Sequence, residues 1–378
     1  MKKSEIISLV ITFLVLAAIF AGAIYLGSMH RFGSKTSASE PTDVTLPKQS
    51  NHLYCQIDGV MMHFDPKNDS AEKLCGHTDG DVDCILEHTA PPTRISDGRV
   101  YFGYLSGSED AKYYIAYYDI ESGKTHRTGI ELSEEKDFFV YDGYIYFIDS
   151  VTITRVPVDG GDPEKLTECS PLESIFMVAD GKIYTYSYTL GIASSISIIN
   201  TEYIYSYDIK SLEKKELFEF KVSHFNNNII NKAEYLDGKI YFTLDISEMV
   251  PTGSALVSAI SRYLYVIDTG TEECNKLLDT EVDVFFLGEN KIYYFPPADP
   301  TLGYFYIARS NDIHECDLDG KNDRVIYSNS DIVFFDGDIS NGKLFGRFAG
   351  YIPGVNSDLF YASLNLETGE IKEVVLSE

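Results

Sequence analysis

Asp79, Asp81 and Asp83 alternate in "TDGDVD", the spacing at which a calcium loop presents its first three carboxylates. Such a loop also needs a Gly at its sixth position, for a sharp turn, and a bidentate Glu at its twelfth. Here those positions hold Cys84 and Ala90. The stretch therefore reads as a solvated acidic loop, with calcium as the alternative; no other cofactor is expected. Six cysteines (Cys55, Cys75, Cys84, Cys169, Cys274, Cys316) show no CxxC spacing and no clustering with the eight scattered His, which disfavours zinc. Cys75 and Cys84 are the one plausible local disulfide pair, and buried free thiols are the other reading. No nucleophile elbow, HExxH, phosphate loop or dinucleotide fingerprint occurs, and "GYLSG" (103–107) lacks the G-x-S-x-G spacing.

A second set of candidates is apolar. Met249, Val250, Leu302, Tyr304, Phe305, Tyr351 and Ile352 lie in long stretches that interrupt an otherwise regular strand pattern: "ISEMVPTGSALVSAISR" (246–262), "PPADPTLGYFYIARSND" (296–312) and "FAGYIPGVNSD" (348–358). With "TLGIASSISIINTE" (189–202), they read as loops between the second and third strands of successive repeats. Insertions at one structural position fall on one face of a repeat protein, where loops commonly carry binding. The expectation is a surface for a protein partner. The chemical alternative is hydrolysis or lysis of a glycan or peptide by carboxylates converging from different repeats, which no linear spacing would reveal.

The elements that hold these residues repeat along the chain. A turn dipeptide followed by an alternating aliphatic–aromatic strand occurs at "NHLYCQ", "DGRVYFGY", "DGYIYFI", "DGKIYTYSY", "DGKIYFTLD", "ENKIYYFP" and "NGKLFGRF". Asp-Gly and Asn-Gly favour the positive φ of tight hairpin turns, and the strands alternate faces with period two. Each copy has an upstream strand, such as "FFVY" (138–141) or "VFFL" (284–287), and a downstream pair, such as "TRVPVDGGDPEKLTE" (154–168). Four-stranded units, with turns 38 to 57 residues apart, are the mark of propeller blades. The expected fold is all-β, a seven-bladed β-propeller over residues 51–378, with six or eight blades as alternatives because the terminal units are the weakest. Closure is expected either from Val44–Leu46 or from "EIKEVVL" beside the first unit. No Trp accompanies the 28 Tyr and 22 Phe, and the aromatic strand positions are expected to pack between blades.

Ahead of the repeats, residues 1–5 read as a short cytoplasmic tail and 6–26 as an uncharged apolar run. As a helix the run would be about 31 Å long, matching a hydrocarbon core of roughly 30 Å. It is expected to be a transmembrane signal anchor contacting lipid, cleavage after Ala23 being the alternative. The Ser/Thr/Pro-rich segment 27–50 reads as a flexible stalk. The large domain is then extracytoplasmic at the cell membrane. A net charge of −27, from 31 basic and 58 acidic residues, makes nucleic acid an improbable partner.

The "DGKIYF" strand, with "YDIKS", "VPVDGG" and "CDLDGKNDRVI" as third strand and turn, resembles the low-density-lipoprotein-receptor-type (YWTD-like) propeller. The resemblance is to the version carried by bacterial membrane-anchored surface proteins and covers roughly Asn51 to Glu378. It implies the propeller architecture and names no ligand. The Tyr-Trp-Thr-Asp signature cannot occur without Trp, so no ligand-binding residue is carried over.

Overall fold

The structure is a computed structural model that describes residues 53–57, 60–74, 89–105, 112–132, 137–189, 200–222, 230–252, 255–288, 290–297, 312–329, 332–350, 359–374 and 376–377. The chain divides into two compact units, Met1–Glu40 and Pro41–Glu378. The tail, the apolar run, the stalk and the Val44–Leu46 strand all lie outside the described residues.

Among the described residues of the second unit there are seven four-stranded sheets. Blade 1 holds β1 (Leu53–Ile57), β2 (Val60–Asp65) and β3 (Ser70–Lys73). Blade 2 holds β4 (Thr89–Ser96), β5 (Arg99–Leu105), β6 (Tyr113–Asp119) and β7 (Lys124–Leu132). Blade 3 holds β8 (Phe139–Tyr141), β9 (Tyr144–Asp149), β10 (Thr152–Pro157) and β11 (Glu164–Glu168). Blade 4 holds β12 (Glu173–Ala179), β13 (Lys182–Thr189), β14 (Asn200–Asp208) and β15 (Lys214–Val222). Blade 5 holds β16 (Ile230–Leu236), β17 (Lys239–Thr252), β18 (Ala255–Asp268) and β19 (Cys274–Lys276). Blade 6 holds β20 (Val284–Leu287), β21 (Lys291–Phe295), β22 (Asp312–Asp317) and β23 (Arg324–Ser328). Blade 7 holds β24 (Ile332–Ser340), β25 (Lys343–Gly350), β26 (Leu359–Asn365) and β27 (Ile371–Glu373), and β28 (Leu376–Ser377) returns to blade 1.

The turn chemistry is the one the dipeptides demand. Asp97, Asp142, Asp180, Asp237 and Asn341 have φ of 48–49°, and the glycine after each has φ of 70–75°. Positive φ at both central residues is the type I′ hairpin, whose twist matches that of the strands it joins. The third-to-fourth turns use a different device. The carboxylates of Asp119, Asp208 and Asp268, and the Asn365 amide oxygen, accept the backbone N–H three residues on.

Alternation then gives each sheet two apolar faces, and each seam between blades is one hydrophobic cluster. Phe102 and Tyr54 share the blade 1–2 seam, Phe147 and Tyr101 the 2–3 seam, and Tyr146 and Ile183 the 3–4 seam. Phe176 and Phe242 meet between blades 4 and 5, Tyr241 and Phe285 between 5 and 6, and Phe295 and Phe334 between 6 and 7. Tyr101, Tyr146, Tyr184, Tyr241 and Tyr294 are fully buried, as expected of inter-blade aromatics.

The ring closes between blades 7 and 1. Phe64 stacks on Phe345 with centroids 4.4 Å apart. Lys343 donates to the Pro66 carbonyl and to Asp69, which Ser363 also bonds. Blade 1 departs from expectation. Its strands have the sequence character of second, third and fourth strands, and Asp65 caps its turn like a third-strand end, accepting from the Lys67 N–H. Yet β1 occupies the edge that first strands hold elsewhere, touching β24 and β4. The fourth place is filled by β28, parallel to β3 through Leu376↔Ala71 and Ser377↔Glu72. The C-terminal closure is therefore realised in part: Ile371–Glu373 stay in blade 7, and only Leu376–Ser377 reach blade 1, on its outer edge.

Candidate functional site at the central channel

The first strand of each blade touches the first strands of its neighbours, so β1, β4, β8, β12, β16, β20 and β24 form the wall of the central channel. Several residues of these inner strands are charged.

On β16, alternation turns Ala233 and Tyr235 toward blade 4, while Lys232 and Glu234 face blade 6. Lys232 Nζ lies 2.6 Å from Glu234 Oε1 and 4.0 Å above the Phe286 ring. The Leu287 N–H donates to Glu234 Oε2 at 3.3 Å. Burial pushes the Glu234 carboxyl above its ordinary value, the Lys232 ammonium pulls the other way, and the charge of Asp338 on blade 7 pushes it up again. The charge of Asp338 thus acts on Glu234 from a blade that shares no seam with its own.

Asp338 and Asp336 owe their placement to a glycine crossing. β24 carries a bulge between Phe334 and Asp336, beyond which Gly337 pairs with Gly346 of β25. A Cβ on Gly337 would meet the Phe345 carbonyl oxygen at 2.1 Å, and one on Gly346 the Asp336 oxygen at the same distance. Only glycine fits either position, and Gly337 has φ 155°. The crossing sets an aspartate on each side of Gly337. Their charges also reach Cys55 on β1, whose buried thiol is pushed well up, first by burial and then by Asp338 and Asp336.

Opposite in sign is Arg94 on β4. Its Nε donates to the Phe138 carbonyl at 3.2 Å, and its guanidinium lies 4.4 Å over the Phe139 ring. Burial raises the neighbouring Asp137 carboxyl, and Arg94 partly offsets this. The inner strands thus carry a carboxyl that burial inclines to hold its proton, two aspartates whose charges reach other strands, and two cations packed over aromatic rings. Such a set can exchange a proton with a bound group or hold an amine.

Blade 4 holds two further buried carboxyls with opposite fates. Glu173 is saturated: Thr185 and Tyr207 hydroxyls each donate at 2.6 Å, Lys214 Nζ lies at 3.0 Å, and the Ser170 N–H lies at 3.1 Å. Glu202 is 1% exposed and neither oxygen has a hydrogen-bond partner. Burial alone pushes its carboxyl up to about 8.

Among the predicted site residues, Met249 and Val250 fall in β17, not in a loop. Residues 239–268 form one hairpin of two 14-residue strands, paired from Lys239↔Asp268 to Thr252↔Ala255. The apolar stretch is regular because the two strands stay in register without a shift as far as the Thr252↔Ala255 pair. Leu302, Tyr304, Phe305, Tyr351, Ile352, Asp79, Asp81 and Asp83 lie outside the described residues, as do Cys75 and Cys84. Among the described residues, no group of three His, Cys, Asp or Glu could hold a metal ion, and Cys55, Cys274 and Cys316 are free thiols. Asp317 and Asp319 are turn formers, but Asp323 also accepts from the buried Tyr294 hydroxyl at 2.8 Å.

No protein-family model matches the chain, and no curated protein sequence is similar to it. Solved structures are similar in fold. The β-propeller domain of the Trilobed protease from Pyrococcus furiosus, described as having an open velcro topology, is 15% identical. There the TM-score is 0.46, with 76% of this chain and 84% of that one covered. A structure from a study of two prolyl endopeptidases is 10% identical with a TM-score of 0.50, covering 85% of this chain and 49% of that one. The chain thus spans about half the length of that protein. A polysaccharide lyase of the ulvan-lyase family is 14% identical with a TM-score of 0.44, covering 75% and 81%. The fold defines the class: a seven-bladed β-propeller.

Proposed function

We propose that this chain is a membrane-anchored, extracytoplasmic binding module that captures a protein partner through one face of its propeller. The observation that carries this reading is the placement of the long connections. Blades 4, 5, 6 and 7 are consecutive, and each lengthens the link between its second and third strands. β13 ends at Thr189 and β14 begins at Asn200, β17 and β18 continue as a hairpin, β21 ends at Phe295 and β22 begins at Asp312, and β25 ends at Gly350 and β26 begins at Leu359. In blade 2 the same link spans residues 106–112, close to the length in blade 7, and in blade 3 only Ser150 and Val151. The longest links, in blades 4 to 6, are adjacent, and an enlarged sector at one end of the ring is what a docking face requires. The solved structures of similar fold are peptidase and lyase propellers rather than the receptor type the repeat resembles, so that resemblance adds nothing to the role; the apolar run 6–26 supports tethering to a membrane. The test is a crosslinking pull-down from intact cells with the full chain and with a Tyr304→Ser/Tyr351→Ser variant. One reproducible partner lost with the variant is expected; undiminished capture would refute the reading.

A second reading is favoured by the channel. A Glu234 carboxyl raised by burial, with the charge of Asp338 acting on it, is a group that a glycan- or peptide-cleaving enzyme could use as an acid, and a structure from a study of prolyl endopeptidases shares the propeller fold. Turnover of glycan or peptide substrates that Asp338→Asn abolishes, with partner capture intact, would move the assignment there.

A further inference from the structure

We propose that the chain pairs with a second copy of itself through the outer edge of β18, residues Ala255–Ser261. This goes beyond the partner reading above, which could fail while this one holds.

The argument begins with the backbone. β16 shares its last described rung with β17 at Ile230↔Leu244. On the other side, β18 is covered as far as Arg262, where the Val282 N–H donates to the Arg262 carbonyl at 2.8 Å, after Leu277 has done the same to Leu264. Past those rungs β17 and β18 pair only with each other among the described residues. At about 3.3 Å per residue, the ribbon carries its edges up to about 26 Å beyond the last shared rung.

The two edges are not equivalent. Pro251 pairs with Leu256, and since proline has no N–H, this must be a rung at which backbone groups point outward. The outward carbonyls of Arg262 and Leu264 give the same phase. Leu256, Ser258 and Ile260 therefore direct their N–H and C=O groups away from β17. The β17 edge is blunted by Pro251, one of the devices that protect exposed strands. The β18 edge, "ALVSAIS", holds no proline and no charge.

Charge selects the occupant. A chain of net charge −27 repels a second copy over most of its surface. Residues 246–261 contain one charged side chain, Glu248, and it lies on β17. The ribbon's reach exceeds the Debye length of about 8 Å at physiological ionic strength, so copies meeting there are largely screened from each other's acidic bodies. Antiparallel pairing about a twofold axis at Ser258 sets Leu256 opposite the second copy's Ile260 and Ser258 opposite itself. This forms about six backbone hydrogen bonds and a four-stranded ribbon closed by symmetry.

The test measures the molar mass of the full chain in detergent by light scattering and sedimentation velocity across a concentration series. The unaltered chain is expected to reach twice its monomer mass. Ser258→Pro removes the central outward N–H without touching a rung to β17 and should remain monomeric. Met249→Pro removes the outward N–H on the opposite edge and should still dimerise. If Ser258→Pro fails to melt cooperatively, Leu256→Lys/Ile260→Lys places like charges on the same twofold rungs and should also be monomeric. A monomer at every concentration in the unaltered chain overturns the proposal, as does a dimer that survives the β18 changes.

Discussion

Replacing Glu202 with Gln should stabilise the propeller, and increasingly so as pH rises. Glu202 shares a face of β14 with Ile204, at the apolar seam between blades 4 and 5, and its oxygens have no partner. Its folded value of about 8 stands above the ordinary 4.5. The folded chain therefore binds this proton more tightly than the unfolded chain does. Below about pH 4.5 both states hold the proton and no penalty exists. Stability falls as pH rises from 4.5 through 8, then levels off. At about 1.4 kcal/mol per pH unit, the loss is about 3 kcal/mol at pH 7 and about 5 kcal/mol once pH 8 is well passed. A glutamine is equally uncharged in both states and escapes that loss, while still burying an unpartnered polar group. The assay is equilibrium urea unfolding of the parent and Glu202→Gln at pH 5, 7 and 9. The gap between them should be under about 1 kcal/mol at pH 5 and widen by several kcal/mol by pH 9. A gap that stays constant across that range would refute the reasoning.

Three further outcomes are expected. Glu272, which bonds Lys182, Lys215 and Ser206 across the same seam, is held down at about 2 by those hydrogen bonds and the Lys182 charge despite opposing burial. Its contribution is present above pH 4.5 and lost as pH falls toward 2, so Glu272→Gln should flatten the acid limb of a melting-temperature profile between those values. Arg262 makes two bonds to Asp245 and also bonds Asp283. Arg262→Ala leaves Asp245, 5% exposed, without its cation and should cost about 3–5 kcal/mol in urea unfolding, much of it recovered in Arg262→Ala/Asp245→Asn. Gly337→Ala drives a methyl into the Phe345 carbonyl and should cost about 3 kcal/mol or more, read as a lower melting temperature or loss of soluble protein.

The repeat was legible because its punctuation is chemical: Asp-Gly and Asn-Gly announce a backbone conformation that few other residues accept, and five of those turns adopt it. The same rule misplaced blade 1. Asn51-His52 looked like the turn before a second strand, whereas a first-strand edge can be filled by any alternating segment that the ring brings there. Met249 and Val250 were read as loop residues because the stretch is long and apolar, although both strands simply continue their pairing from Lys239↔Asp268 to Thr252↔Ala255. The channel residues left almost no linear signal. Lys232 and Glu234 are two charges in "NKAEYL", and Asp336 and Asp338 flank a Gly in "DGDIS", where Asp-Gly mimics a turn. Closure of the ring is what brings strands over a hundred residues apart into one electrostatic environment.

The clasp between β3 and β28 has a consequence for synthesis. Ala71 and Glu72 leave the ribosome about 300 residues before Leu376 and Ser377, their partners in the finished sheet. At 5–20 residues per second, the outer edge of blade 1 waits roughly 15–60 s for its last strand. Throughout that interval it is an open β edge on a nascent chain whose other blades can complete themselves in order. Chaperone capture and misassembly should therefore concentrate at the oldest end of the polypeptide.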